Sequence, residues 1–425
     1  MNTFLTMRIT TLACAMILLL SACNKAEFMP EPIGEEIAPP IYPTFLESLP
    51  QQTGLFKSMW LKAGMDEVLA TEQAQAKLTF LVPDDGAMEE AGYSAEKIQT
   101  MDKTMLQNIL RYLVLNGAVG LEQLRSAGGD LTLPTLLQHP IFLDAEARDG
   151  SLLRTVPYQY QHQIGAKDRQ LIVDGHFLEV DQELDVAQGK AFIINKLLSA
   201  PQRQMYDFLV QDGRFSLYLK AMDLNNIEYA NEFLMNWWGN FPPPIRYMID
   251  WNYYFEGTFH SNEDYPRHII HGTLLAPTDD AFHQLGIYTE EDLRALNGRI
   301  ETPMYYEQNQ TTPVDSLLKF HFIGRAGGDT GYNPDFTVLC YAVKRDRFTD
   351  NSMFFSHMLD DRLLAVHKHV GLRFDHSGNR ITVSPLQSNE QPASIIEENI
   401  NTIQGPVHVV DRILVPDGFS MWHKK

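Results

Sequence analysis

The sequence predicts an α+β protein assembled from two tandem copies of one unit, and three observations carry that expectation. Three residue blocks recur in the same order along the 425 residues, the mark of an internal duplication. Within each copy, helix-like segments come early and strand-like segments with turn dipeptides come late, a segregation that suits α+β better than alternating parallel folds. Hydrophobic residues make up 44% and charged residues 21% of the chain, so a core can be buried and wholesale disorder is excluded. The length accommodates two or three domains. Acidic side chains outnumber basic ones 54 to 34. Such a surface repels phosphate backbones, and no nucleic-acid partner is expected.

Residues 1–22 read as a leader. Arg8 is the only charge before an apolar run from Ile9 to Leu20, too short for the roughly 20 residues a spanning helix needs but suited to a signal peptide. The run closes on Leu20-Ser21-Ala22-Cys23. This resembles the lipobox of bacterial lipoproteins, in which cleavage before the cysteine leaves a thiol that carries lipid; the alternative is an ordinary secretory signal with an incidental cysteine. Lipidation of Cys23 would leave Cys340 as a lone thiol in the mature chain, without a disulfide framework. Residues 23–43 then form the lipidated cysteine and a tether. In it Pro30, Pro32, Pro39, Pro40 and Pro43 alternate with Glu31, Glu35 and Glu36, a composition that is extended and solvated. Asn24-Lys25-Ala26-Glu27 loosely resembles the surface-export signal of Bacteroidetes-type lipoproteins. The expected location is the outer membrane, lipid-anchored at the cell surface, with the periplasmic face as the alternative.

The repeated blocks follow. The opening block is helical, with Gly54-Leu55-Phe56 leading to Leu61-Lys62-Ala63 and Gly213-Arg214-Phe215 leading to Leu219-Lys220-Ala221. The second runs from Leu78 through Pro83-Asp84-Asp85 to Met88, and again from Thr273 through Pro277-Thr278-Asp279-Asp280 to Phe282. The third is Gly189 to Leu198, matched by Gly405 to Leu414. In the second block an apolar β run is stopped by a proline, which cannot donate to a ladder. The acids after it stand where a helix begins, placed to cap free N–H groups and complement the dipole. Paired acids can also serve acid/base chemistry or metal binding, but capping accounts for Asp84, Asp85, Asp279 and Asp280 without further assumptions. Between the second and third blocks each copy has an amphipathic helix, Met105 to Val114 and Ser316 to Ile323, and then strands separated by Asp149-Gly150, Asp174-Gly175 and Ser377-Gly378.

These residues resemble the fasciclin-like domain family. Its proline-threonine-aspartate block is similar to Leu275-Ala276-Pro277-Thr278-Asp279-Asp280-Ala281-Phe282, its aromatic-histidine pair to Phe320-His321, and its closing strand to Gln404-Gly405 through His408, Asp411 and Leu414. The first copy departs from the pattern: Tyr112 is followed by Leu113, and Phe192 and Asn195 stand for the closing histidine and aspartate. The resemblance implies two tandem domains, residues 44–201 and 202–418, each a twisted β-sheet wedge or sandwich flanked by helices. It also implies that Pro83, Asp84, Pro277, Asp279, His321, His408 and Asp411 serve architecture. Where eukaryotic members present an Asp-Ile pair to integrins, this chain has Asn399-Ile400, so integrin adhesion is not expected.

No nucleophile elbow, zinc-protease helix, phosphate loop or dinucleotide fingerprint occurs. The protein is accordingly read as a non-enzyme with no catalytic residue, cofactor or metal. His367 and His369 would share one face of a strand and could chelate a metal, but no third ligand is identifiable. The second copy is lengthened by an aromatic insertion at about 230–268, holding Trp237, Trp238, Trp251, Tyr253 and Tyr254 around Pro242-Pro243-Pro244. These side chains either fill a core between the domains or face a protein or glycan ligand. The resemblance implies adhesion or extracellular matrix interaction; the alternative is a glycan-capture or scaffold component beside a TonB-dependent nutrient-uptake system. The lipobox sets the first test. A palmitate analogue should label the wild-type protein, and Cys23→Ala should lose the label and leave the membrane fraction.

Overall fold

The computed structural model describes residues 44–73, 76–127, 130–146, 154–224, 267–268, 272–298, 313–318, 320–324, 372–377, 380–386, 388–415 and 419. The leader, Cys23, the tether, Cys340, His367, His369 and the insertion residues Trp237, Trp238, Trp251, Tyr253 and Tyr254 lie outside them. Residues 43–425 form one compact unit. No helix among the described residues is long and apolar enough to cross a membrane.

The first sheet contains β1 (Leu78–Pro83), β2 (Val114–Asn116), β3 (Leu131–Glu146), β4 (Arg154–Lys167), β5 (Gln170–Val173), β6 (His176–Val186) and β7 (Gly189–Ile194). Every residue of β1 is buried, as its continuous apolar run requires of a strand covered on both faces. It pairs antiparallel with β2 and parallel with β7, from Leu78↔Gly189 to Pro83↔Ile194. From β7 the order continues through β6, β5, β4 and β3, and β3 returns to β2 at Leu115↔Thr135. Seven strands therefore close into a ring, where the resemblance implies a twisted wedge or sandwich. The closure follows from the long β3–β4 pair, whose register shifts between Pro134 and Gln138 and again between Gln138 and Leu143. Bulges of this kind bend a strand and increase its twist, and Pro134 and Pro140 interrupt ladder donation in that stretch.

The second sheet contains β9 (Gly272–Pro277), β10 (Phe322–Gly324), β11 (Leu372–Ser377), β12 (Arg380–Pro385), β13 (Ala393–Thr402) and β14 (Gly405–Val410). Its order is β10-β9-β14-β13-β12-β11. Again a wholly buried strand ending in proline, β9, lies antiparallel to its short neighbour and parallel to the closing strand. The six strands repeat the order β2-β1-β7-β6-β5-β4 of the first sheet. The duplication read from three blocks thus extends to the topology. Between the two stretches, β8 (Arg267–His268) adds to β3 in parallel, at Phe142↔Arg267 and Leu143↔His268.

Each half has its own apolar core. In the first, Phe45, Phe56, Trp60 and Phe80 interlock, with Phe45 stacked on Phe80 at 4.1 Å between centroids. In the second, Phe208, Phe215, Tyr218, Phe282 and Phe419 are buried together. The amphipathic helix expected from Met105 runs over Lys103–Tyr112, its N-terminus capped by Asp102. It stops short of Val114 because that residue pairs with Phe80 in the sheet. Likewise the helix expected at Ser316 to Ile323 is Pro313–Leu318, and Phe322 and Ile323 join β10.

A glycine opens the closing strand in both halves. Gly189 has φ +144° and Gly405 φ +139°, a backbone region that side chains rarely enter. The preceding carbonyl receives the entry N–H of the partner strand: Leu78 N–H donates to Gln188 O at 2.8 Å, and Gly272 N–H to Gln404 O at 3.0 Å. A Cβ at position 189 would stand 2.1 Å from Leu78 O. Gly189→Ala should therefore separate the start of β1 from β7 and destabilise the protein by more than about 2 kcal/mol, read as a lowered urea midpoint with unchanged slope.

Candidate functional site

The turn after each proline-ended strand is built from two carboxyl or hydroxyl contacts. Asp84 Oδ1 accepts from Ala87 N–H at 2.7 Å and caps the helix Asp85–Glu90. Asp85 Oδ1 reaches away from its own helix and accepts Leu55 N–H, also at 2.7 Å, in the first turn of Gly54–Ala63. In the second half Thr278 is the cap, its hydroxyl accepting from Ala281 N–H at 3.3 Å. Asp279 performs the tie: Oδ1 accepts Leu217 N–H and Oδ2 the Ser216 hydroxyl, both at 2.7 Å. The acid pairs are therefore not equivalent as pairs. Asp84 corresponds to Thr278 and Asp85 to Asp279, while the Asp280 side chain is 92% exposed and stands 3.4 Å from His283. The same contacts align Leu55 with Leu217, three residues later than the Gly213-Arg214-Phe215 block pairs it, because the second helix begins at Ser216.

His321 lies fully buried between the end of its helix and the closing loop. Leu414 N–H donates to Nε2 at 3.1 Å, so the ring proton sits on Nδ1, which faces Leu275 O at 2.6 Å. One histidine thus ties β9 to the chain after β14. Burial lowers its pKa to about 4, against a smaller upward pull from the bond to Leu275; a second proton would point at an N–H donor. In the first half Leu113 holds this place, and only the backbone contact survives: Leu81 N–H donates to Leu113 O at 2.9 Å, as Leu275 N–H does to His321 O at 2.7 Å.

The closing motif is kept in one position and replaced in the other. Asp411 Oδ1 accepts Ser394 N–H at 2.6 Å, and Asn195 Oδ1 accepts Glu179 N–H at 3.0 Å. The amide serves the same bond, so Asn195 is no loss of architecture. His408 accepts Asn399 N–H on Nδ1 at 3.2 Å, whereas Phe192 in the first half is a buried core side chain.

A further set of residues was not singled out by the sequence motifs. Tyr112, Tyr158, Tyr160, Leu137 and Phe142 form a buried cluster with Ile403 of the second half. Tyr158 hydroxyl donates to Ile403 O at 3.2 Å and Tyr160 hydroxyl to Pro201 O at 3.4 Å. Asn399, at φ +59°, donates from Nδ2 to Gly175 O at 3.5 Å. Behind the tyrosines, His162 Nδ1 stands 2.7 Å from Asp174 Oδ2. The signal lay in the alternation of Tyr158-Gln159-Tyr160-Gln161-His162-Gln163, which puts the two phenols and the imidazole on one face of β4. Burial raises the Tyr112 hydroxyl well above the ordinary phenol range, helped by Asp174, Tyr158 and Tyr160, and holds Tyr160 up at about 12. The cleft at this seam has room for about one water molecule, far below what a small-molecule site needs. Among the described residues, no three His, Cys, Asp or Glu side chains gather as a metal site.

Residues 51–170 match the family model of the fasciclin domain. Comparison with curated proteins finds no match. Among solved structures, the FAS1 domain pair from the insect cell adhesion molecule fasciclin I aligns at 13% identity, covering 86% of this chain and 98% of that one, with a TM-score of 0.26.

His321 sets a pH dependence that can be measured. Between its folded pKa near 4 and the ordinary imidazole value, only the unfolded chain takes up the proton, so stability is full above the ordinary value and is lost as pH falls toward 4. The contribution is on the order of 3 kcal/mol. His321→Leu, which installs the residue found at Leu113, should cost about 1–3 kcal/mol at neutral pH by leaving Leu414 N–H unpaired. It should also flatten this part of the acid profile in urea titrations relative to the wild type.

Proposed function

We propose that this chain is a non-enzymatic cell-envelope lipoprotein that works by adhesion or protein interaction through two fasciclin-like units. The observation that carries the reading is the match of residues 51–170 to the fasciclin domain, supported by the second sheet repeating the strand order of the first. Asp85, Asp279, His321 and Asp411 meet backbone N–H and C=O groups, which supports an architectural reading of them. Lipid on Cys23 would hold the two units at the outer membrane, and the Pro/Glu tether would stand them off it.

The glycan-capture reading is favoured by one feature, the aromatic insertion, since three of the five tryptophans fall in it. Aromatic anchors are each worth about 2 kcal/mol or more when they centre a binding surface. A matrix-protein and glycan array probed with the mature chain lacking its lipid should register binding, with matrix proteins indicating adhesion and glycans the alternative. Trp237→Ala and Trp251→Ala should lose that binding at an unchanged Tm; variants that instead melt early would make the insertion core and remove it as the binding surface.

A further inference from the structure

Two buried histidines that meet backbone carbonyls, His321 and His162, are wired differently. His321 faces one acceptor and one donor, Leu275 O and Leu414 N–H, and is complete as a neutral ring. His162 faces two acceptors: Asp174 Oδ2 at 2.7 Å from Nδ1 and Tyr112 O at 3.2 Å from Nε2. An imidazole satisfies two acceptors only when both nitrogens carry protons. Tyr112 closes the helix Lys103–Tyr112, so the ring also meets the negative end of a helix dipole. Asp174 is held ready, its Oδ1 accepting Gln163 N–H at 2.9 Å.

Both partners of His162 lead to the second half. The Tyr112 ring lies 4.4 Å from the imidazole and 5.9 Å from Tyr160, which lies 5.3 Å from Tyr158, the donor to Ile403 O. Asp174 and Gly175, at φ +49° and +76°, form the tight turn between β5 and β6, and Gly175 O receives Asn399 Nδ2. We infer that His162 and Asp174 form a proton-operated latch beneath the seam between the two halves. The doubly protonated ring holds the helix end, β4 and the 174–175 turn in place for their contacts with Ile403 and Asn399, and loss of one proton sets a bare nitrogen against an oxygen and loosens them.

Other titratable groups lie on the elements packed around the latch. Tyr112 comes from the helix and Tyr158 and Tyr160 from β4 itself; burial raises the hydroxyls of Tyr112 and Tyr160. His139 of β3, 5.9 Å from Tyr160, has its pKa lowered by burial. So has His176 of β6, by burial and then by Lys196, with Asp174 opposing.

Asp174→Asn separates the latch from plain packing. Its amide can donate to a neutral His162 Nδ1 while its carbonyl keeps Gln163 N–H and His162 Nε2–H keeps Tyr112 O; asparagine also tolerates the left-handed turn conformation. Amide hydrogen exchange, corrected for intrinsic rates, is followed at 399–405 and 174–176 from about pH 5 to about pH 9. Wild-type protection should fall about tenfold or more as pH rises, the loss of one charge-assisted bond, while Asp174→Asn stays flat. The nitrogen-15 ring spectrum of His162 in the wild type should show both nitrogens protonated while the seam is protected. Flat wild-type protection, an equal fall in Asp174→Asn, or a singly protonated ring in the protected state each overturns the latch. If Asp174→Asn does not fold, the wild-type ring spectrum decides alone.

Discussion

The parallel pairing of a proline-ended strand with the strand that closes each unit is the constraint on which the rest of the structure depends. β1 with β7, and β9 with β14, lie side by side in sheets whose other described pairings within each half are antiparallel. Parallel neighbours cannot be joined by a hairpin. The chain must leave β1, travel through helices and the outer strands, and return in register. Residues that serve neither core nor surface are explained by that return: the left-handed glycines at 189 and 405 admit the backbone, and the carbonyls before them receive the first donor of the partner strand.

What the return demands is a set of bonds rather than a set of residues. A cap after the proline is supplied by Asp84 in one half and Thr278 in the other. A carbonyl oxygen on Asn195 replaces a carboxylate oxygen on Asp411. The tie to the first helix keeps its acid in both halves, as Asp85 and Asp279. The histidine positions diverged further, to Leu113 and Phe192, where apolar contact stands in for a polar tie. A half without the tie at Leu113 loses the link to the chain after β7 but also the cost of burying an imidazole.

The halves are joined by tyrosine hydroxyls donating to second-half and linker carbonyls, by Asn399, and by β8 adding to β3. A tandem held this way presents the outer surfaces of its halves in a defined relation. Pairing with β2 at Thr135 and with β8 at Phe142 and Leu143 covers parts of the β3 edge that an open sheet would leave for unwanted pairing.

The sequence by itself determined the duplication, the α+β segregation and the stop of each central strand, because these are local: a proline removes a donor wherever it stands, and an apolar run must be buried. It also singled out Asp279, His321 and Asp411, each of which meets backbone groups distant in the chain. It assigned Asp84, Asp85, Asp279 and Asp280 alike to capping, since adjacency in sequence does not reveal that Asp84 turns to its own helix while Asp85 reaches a residue thirty positions earlier. It read Asn195 as a loss because chemical type was compared where only an acceptor was needed. Ring closure, the seam at Tyr158 and Ile403, and the pairing of His162 with Asp174 were decided by tertiary structure alone. Each joins groups distant in the chain or set by bulges and left-handed turns, and no local pattern encodes which oxygen a folded strand will bring to an imidazole.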